Sequence, residues 1–249
     1  MVTRLLVSVR DAAEALLAAA NGADFIDCKE PGQGALGGLP VATIAEIVSA
    51  LRDTGRRLPV SATIGDWPMS ERATILARVG AVAASGADIV KVGIEREPAA
   101  RAVLDDLAAS GIPLVPVFVA DRGLDFALVE HALGLGFAGV MVDTADKRAG
   151  SLFDLLPADD VKRFVSSARS AGVMVGVAGA LRRSQVPAVA ALGPDFAGFR
   201  SAVCEGSRAG ALSAALLRAL AASMRDAAQA PIGRSSPSSS ERARASSVR

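Results

Sequence analysis

SGADIVKVGIEREPAARAVLDDLAASGIPLVPVFV, residues 85–119, decides the fold. A glycine stop leads into a short apolar run at 88–92. A helical pattern follows around 97–110, and a second apolar run occupies 114–119. Both runs are largely apolar on both faces, as in strands of a parallel sheet covered by helices. Strand, helix and strand in this order make a βαβ unit.

The same alternation extends in both directions. Further strands are expected at 5–9, 25–29, 60–64, 139–143, 174–178 and 196–200. Helical patterns lie around 11–20, 40–54, 69–85, 124–134, 158–171 and 182–192, with a last one near 209–227. Eight strand–helix repeats in 249 residues predict an α/β fold, the TIM (β/α)8 barrel. An open doubly wound sheet is the alternative, but its glycine fingerprint is missing after the first strand. A weak internal echo precedes strands two, four, six and eight: NGAD at 21–24, SGAD at 85–88, LGFA at 135–138 and LGPD at 192–195. It reads as ordinary loop chemistry, with glycine accepting positive φ at helix ends. The catalytic barrel is expected over 1–228. Residues 229–249, rich in Ser, Arg and Pro, read as a disordered tail.

Composition narrows the function. Hydrophobic residues make up 51% and the net charge is +1, which argues against both full disorder and a nucleic-acid footprint. One histidine, His131, excludes a multi-histidine metal site, and two cysteines make no disulfide framework. No stretch looks like a signal peptide or a membrane span, so a cytoplasmic protein is expected.

Of 27 basic residues only four are lysines: Lys29, Lys91, Lys147 and Lys162. Lys29 and Lys91 end strands two and four, and Lys147 follows strand six. Catalytic groups of such barrels sit at this rim. Strand alternation puts Asp27 beside Lys29 on one face, Lys91 on the same face as Ile89, and Asp143 with Met141. The mouth should therefore hold Asp27, Lys29, Lys91, Asp143 and Lys147. Structural rim salt bridges are the plainer reading of such a cluster. The functional one is imine chemistry, in which a neutral lysine captures a carbonyl and acidifies the adjacent carbon. Burial and nearby cations favour the neutral amine. The residues alone do not rank Lys29 above Lys91.

Two loops suit a phosphate, those after strands seven and eight. Gly179 and Ala180 follow strand seven, and Ser201 and Ala202 follow strand eight. Backbone N–H groups there, with Arg200 and Arg208 as charged forks, would bind the anion. Asp66, after strand three, faces the same rim and is a candidate assistant. Trp67 reads as a loop anchor, and His131 and Cys28 as structural. Cys204 lies near the second phosphate loop without a histidine nearby in sequence.

These stretches resemble the (5-formylfuran-3-yl)methyl phosphate synthases, also called 4-(hydroxymethyl)-2-furancarboxaldehyde-phosphate synthases, of methanofuran and methylofuran biosynthesis. The resemblance is carried by LLVSV at 5–9, GADFIDCKEPGQGALG at 22–37, VSATIGD at 60–66 and SGADIVKVG at 85–93. It continues through VMVDTADKRAGSLFD at 140–154, VGVAGAL at 175–181 and GFRSAVCEGSR at 198–208. It implies a class I aldolase-like carbon–oxygen lyase acting on small phosphorylated trioses. Two molecules of glyceraldehyde 3-phosphate condense, with loss of phosphate and water and without any cofactor or metal. It further implies Lys29 as the Schiff-base nucleophile assisted by Asp27, and Lys91 as an acid/base lysine. Asp143 and Lys147 would assist proton transfer and phosphate elimination. The expected order is imine formation, attack of the adjacent carbon on a second triose aldehyde, then elimination and ring closure. Glu30 departs from the family, which often has Asn there; it is expected to point away from the mouth. Another class I aldolase or a sugar-phosphate isomerase is the alternative within enzymes, and a non-catalytic barrel subunit the alternative outside them. No membrane or nucleic-acid partner is expected, and a homo-oligomer is left open.

Overall fold

A computed structural model describes residues 2–34 and 36–229. The strands are β1 (Arg4–Val9), β2 (Phe25–Cys28), β3 (Val60–Thr63), β4 (Ile89–Ile94), β5 (Leu114–Val119), β6 (Gly139–Asp143), β7 (Met174–Val177) and β8 (Phe196–Phe199). The helices are α1 (Ala12–Ala20), α2 (Val41–Asp53), α3 (Arg72–Ala84), α4 (Ala100–Ala109), α5 (Phe126–Leu133), α6 (Leu152–Leu155), α7 (Ala158–Ser170), α8 (Val186–Leu192) and α9 (Ala214–Gln229). All neighbouring strands pair in parallel, and β8 pairs with β1 to close the barrel in chain order. The expected (β/α)8 architecture is therefore the observed one.

Alternation divides the apolar residues as the two faces require. Leu5, Val7, Val9, Ile26, Cys28 and Val60 point outward into the large layer between sheet and helices. Leu6, Phe25, Val115, Val117, Met141 and Phe196 fill the barrel interior. Phe25 and Phe196 lie 5.6 Å apart between ring centroids. Their space depends on Gly176, where a Cβ would come within 2.2 Å of the Phe196 ring.

The internal echo has a physical basis in its aspartates. Glycines with positive φ end the helices before every strand from β2 to β8, so glycine alone marks no repeat. Asp24, Asp88 and Asp195, however, accept the backbone N–H of Leu5, Val60 and Val175 at 2.7–2.8 Å. Each thus caps the start of the strand before its own. Ala138 occupies that place before β6.

Two expectations change. The loop after β6 contains the unexpected short helix α6, started by a reciprocal cap between Ser151 and Asp154. The last helix starts at Ala214 rather than near 209, because Cys204 pairs with Leu212 in an antiparallel bridge that uses the intervening chain. The expected tail lies outside the described residues, except for the helical Gln229. Among the described residues no helix is long and apolar enough to cross a membrane.

Candidate active site

The C-terminal ends of the strands surround a cavity of about 570 Å³, its open mouth included. Asp27, Lys29, Lys91, Asp143 and Lys147 all line it. The strand register explains the deepest part. Asp27 stands between Ser8 of β1 and Ser61 of β3. Ser61 donates to Asp27 Oδ1 at 2.7 Å and Ser8 to Oδ2 at 3.1 Å. Lys91 Nζ completes the group, 2.8 Å from Oδ1. Burial alone would raise the Asp27 pKa, but the charges of Lys91 and Lys29 outweigh it and hold the carboxyl below its ordinary value.

The second group is nearer the loops. Asp143 ends β6 and binds two lysines: Lys29 at 3.0 Å through Oδ2 and Lys147 through Oδ1. Thr144 N–H also donates to Oδ1, at 2.8 Å. Asp143 is likewise held well below the usual carboxylate range, because the two ammonium groups overcome its burial. Burial pulls the Lys147 amine down to about 8; Asp143 opposes this, and Lys29 and Arg208 add to it. Lys147 is therefore the amine placed to exchange a proton near neutrality.

The shared face expected for Asp27 and Lys29 does not make them partners. Asp27 and Lys29 do share a face, but Asp27 binds Lys91 while Lys29 crosses to Asp143.

Gly179, Ala180, Arg200, Ser201 and Arg208 line the same cavity; Ala202 does not. Ala180 has φ of 43°, a left-handed backbone outside glycine, next to Gly179 at 113°. Among the described residues no protein group accepts the Ala180 N–H. Leu152 N–H donates to Gly179 O at 2.8 Å, tying α6 to this turn.

Arg200 departs from its expected role as a phosphate fork. Its five N–H directions serve Glu14 twice and the carbonyls of Ser8, Arg208 and Gly210. None is left for a ligand, so Arg208 is the arginine available at the mouth. Asp66 is also corrected. It does not line the cavity; it is exposed, and both oxygens accept the Leu36 N–H, at 3.0 and 3.2 Å. It fixes the loop after β2.

The 4-HFC-P synthase family model matches residues 5–221. A (5-formylfuran-3-yl)methyl phosphate synthase of Archaeoglobus fulgidus is 38% identical over 82% of this chain and 92% of its own. One of Methanopyrus kandleri is 37% identical over 89% and 98%.

The chain belongs to the 4-HFC-P synthase family.

Members of this family are named as synthases, so the chain is an enzyme. Solved structures show the fold alone. Phosphoribosyl anthranilate isomerase from Thermus thermophilus covers 90% of the chain and 99% of its own at TM-score 0.62 and 17% identity. A 3-hexulose-6-phosphate synthase covers 88% and 99% at 0.54 and 19%.

The remaining candidates do not line the cavity. Trp67 donates to Ile64 O at 3.3 Å and holds its own loop. His131 pairs with Asp105 at 2.6 Å on the helical exterior. Cys28 is buried behind the sheet, where burial pushes its thiol up. Burial also raises the Cys204 thiol. Glu30 turns onto its own loop, accepting the Gly32 N–H at 2.8 Å, and does not line the cavity. Among the described residues no cluster of His, Cys, Asp or Glu is arranged to hold a metal ion.

Sequence reasoning missed Ser8, Ser61, Glu14 and Asp121. Asp121, after β5, accepts the N–H groups of Ala145 and Asp146 and braces the loop that carries Lys147. The inward alternation of β1 and β3 marks the two serines; nothing local marks Glu14 or Asp121.

Proposed function

We propose that this chain makes (5-formylfuran-3-yl)methyl phosphate from two molecules of glyceraldehyde 3-phosphate through a lysine imine. The supporting observation is the convergence of three lysines, the buried Lys29 and Lys91 and the half-buried Lys147, on two buried carboxylates, at a mouth that also presents Arg208. A net positive pocket suits phosphorylated substrates, and amines in contact with carboxylates suit carbonyl addition with proton transfer. The reaction is a carbon–oxygen lyase reaction on a phosphate, without a cofactor. It would serve methanofuran- or methylofuran-type cofactor synthesis in the cytoplasm.

The product skeleton sets which carbons are joined. Only one division of its six carbons leaves two intact trioses. It joins C3 of the triose that loses phosphate to C2 of the triose that keeps it. This replaces the expected attack of an imine-adjacent carbon on an aldehyde. Lys29 adds to the aldehyde of the first triose and forms an imine. Loss of the C2 proton then expels the C3 phosphate and leaves an enol whose C3 is nucleophilic. The second triose moves its C2 proton to C1 and becomes a ketone. C3 attacks that C2 carbonyl, the C1 hydroxyl closes the ring on the first triose, and two waters leave. Water then hydrolyses the imine, replacing the one lost when it formed, and frees the product aldehyde and the Lys29 amine. The totals balance: two trioses give the furan phosphate, one phosphate and two waters.

Roles follow from position. Asp143 holds Lys29 and Lys147 side by side, and Lys147 trades the proton at C2 and meets the departing phosphate. Lys91 and Asp27, deeper in the barrel, serve the proton shift of the second triose. The β7 and β8 loops, through Gly179, Ala180, Ser201 and Arg208, hold the phosphate that is kept.

Incubation of the protein with glyceraldehyde 3-phosphate tests this. The expected result is a furan aldehyde and inorganic phosphate in equal amounts. Reversible aldol cleavage or isomerisation, with no furan and no phosphate, would contradict it.

A further inference from the structure

Glu14 lies in the first turn of α1, where a carboxylate ordinarily sits in solvent and favours the helix dipole. Here its side chain is only 10% exposed. Two arginines grip it. Arg200 approaches at 2.5 and 3.1 Å, and Arg10 at 2.6 and 3.1 Å. The Arg10 backbone N–H adds a fifth contact at 2.9 Å.

The other contacts of both arginines lead to the mouth. Arg200 donates to Arg208 O at 3.0 Å and to Gly210 O at 3.1 Å. Arg10 donates to Ala209 O at 2.9 Å. Three successive carbonyls of the loop after β8 are thus held from one buried carboxylate. Arg200 also donates to Ser8 O at 2.9 Å, and Ser8 Oγ donates to Asp27. The network joins the anion loop to the floor of the cavity.

We propose that Glu14 is a positioning residue for anion binding: through Arg200 and Arg10 it fixes the 208–210 backbone, and so the place of the Arg208 guanidinium. The proposal rests on the reading of Arg208 and its loop as the phosphate site. Arg200 then acts as a strut between Glu14 and the loop, and Arg208 as the ligand.

Titration calorimetry with inorganic phosphate on the full chain tests it, using wild type, Glu14→Gln, Arg208→Ala and the double variant. Losing a charge-assisted contact is expected to weaken phosphate binding about tenfold in each single variant. The double variant is expected to bind within about twofold of Arg208→Ala, since Glu14 acts through that residue. Arg10→Met, which keeps the Glu14–Arg200 pair, provides a milder version should Glu14→Gln not fold, with about threefold weaker binding. Under turnover with glyceraldehyde 3-phosphate, Glu14→Gln is expected to raise KM while kcat stays within about threefold, the signature of lost uniform binding.

Unchanged phosphate binding in both Glu14→Gln and Arg10→Met, with Arg208→Ala weakened, overturns the positioning role alone. So does a double variant in which the two losses multiply. Unchanged binding in Arg208→Ala overturns the phosphate-site reading, and the positioning role with it.

Discussion

The two carboxylates of the cavity meet similar burial but keep different company. Asp27 has one lysine and two hydroxyls, so its pair is neutral and its lone pairs are satisfied. Asp143 has two lysines and a backbone N–H, so its group carries an excess positive charge. The first arrangement is at rest. In the second, two amines compete for one carboxylate, and releasing a proton from one relieves their repulsion. Under the proposed function, structural and proton-relay work falls to the floor and covalent chemistry to the rim.

The largest expected effect falls on the rim. Lys29→Ala should lower kcat by about 10⁴-fold or more, as loss of a nucleophile does, with the fold intact by circular dichroism. Activity within tenfold of wild type would break the contrast at once.

The floor should answer through stability. Lys91→Met leaves Asp27 buried without its contacting ammonium, so urea unfolding should show a loss of about 3–5 kcal/mol. The Asp27→Asn, Lys91→Met double variant should recover most of that loss. A double variant no more stable than Lys91→Met would show that the pair is not the source.

Lys147 gives a smaller but more specific effect. Lys147→Met should reduce kcat about 10²–10³-fold and remove an inflection near pH 8 from the kcat profile. Stability carries the same signature. The amine is at about 8 when folded and 10.5 in its ordinary state. Between those values the unfolded chain binds more protons, so this residue makes stability rise with pH across the window. The two carboxylates act at the other end: held low in the fold, they contribute stability above their ordinary values that is lost as pH falls. Asp66→Asn should change least, with kcat/KM within about threefold, because its exposed carboxylate touches only the neighbouring loop.

Strand alternation made much of this legible. It placed Asp27, Lys29, Lys91 and Asp143 inside the barrel because side-chain direction is a local property of a strand. Partner choice is not local. Lys29 and Asp143 are 114 residues apart, and closure of the barrel decides that they meet. The role of Arg200 is hidden for the same reason: Glu14 reaches it from 186 residues away, across the β8–β1 seam. Asp66 was placed at the correct rim, but the turn after Gly65 directs it to Leu36 rather than inward. The extra helix α6 is short enough that its cap, not any periodicity, marks it.

In the proposed reaction Lys29, at the charge-rich rim, forms the imine. Borohydride reduction during turnover of glyceraldehyde 3-phosphate, followed by peptide mass mapping, tests it most directly. The expected result is a reduced triose adduct on Lys29 that disappears in Lys29→Ala. An adduct on Lys91 that persists in Lys29→Ala would contradict it.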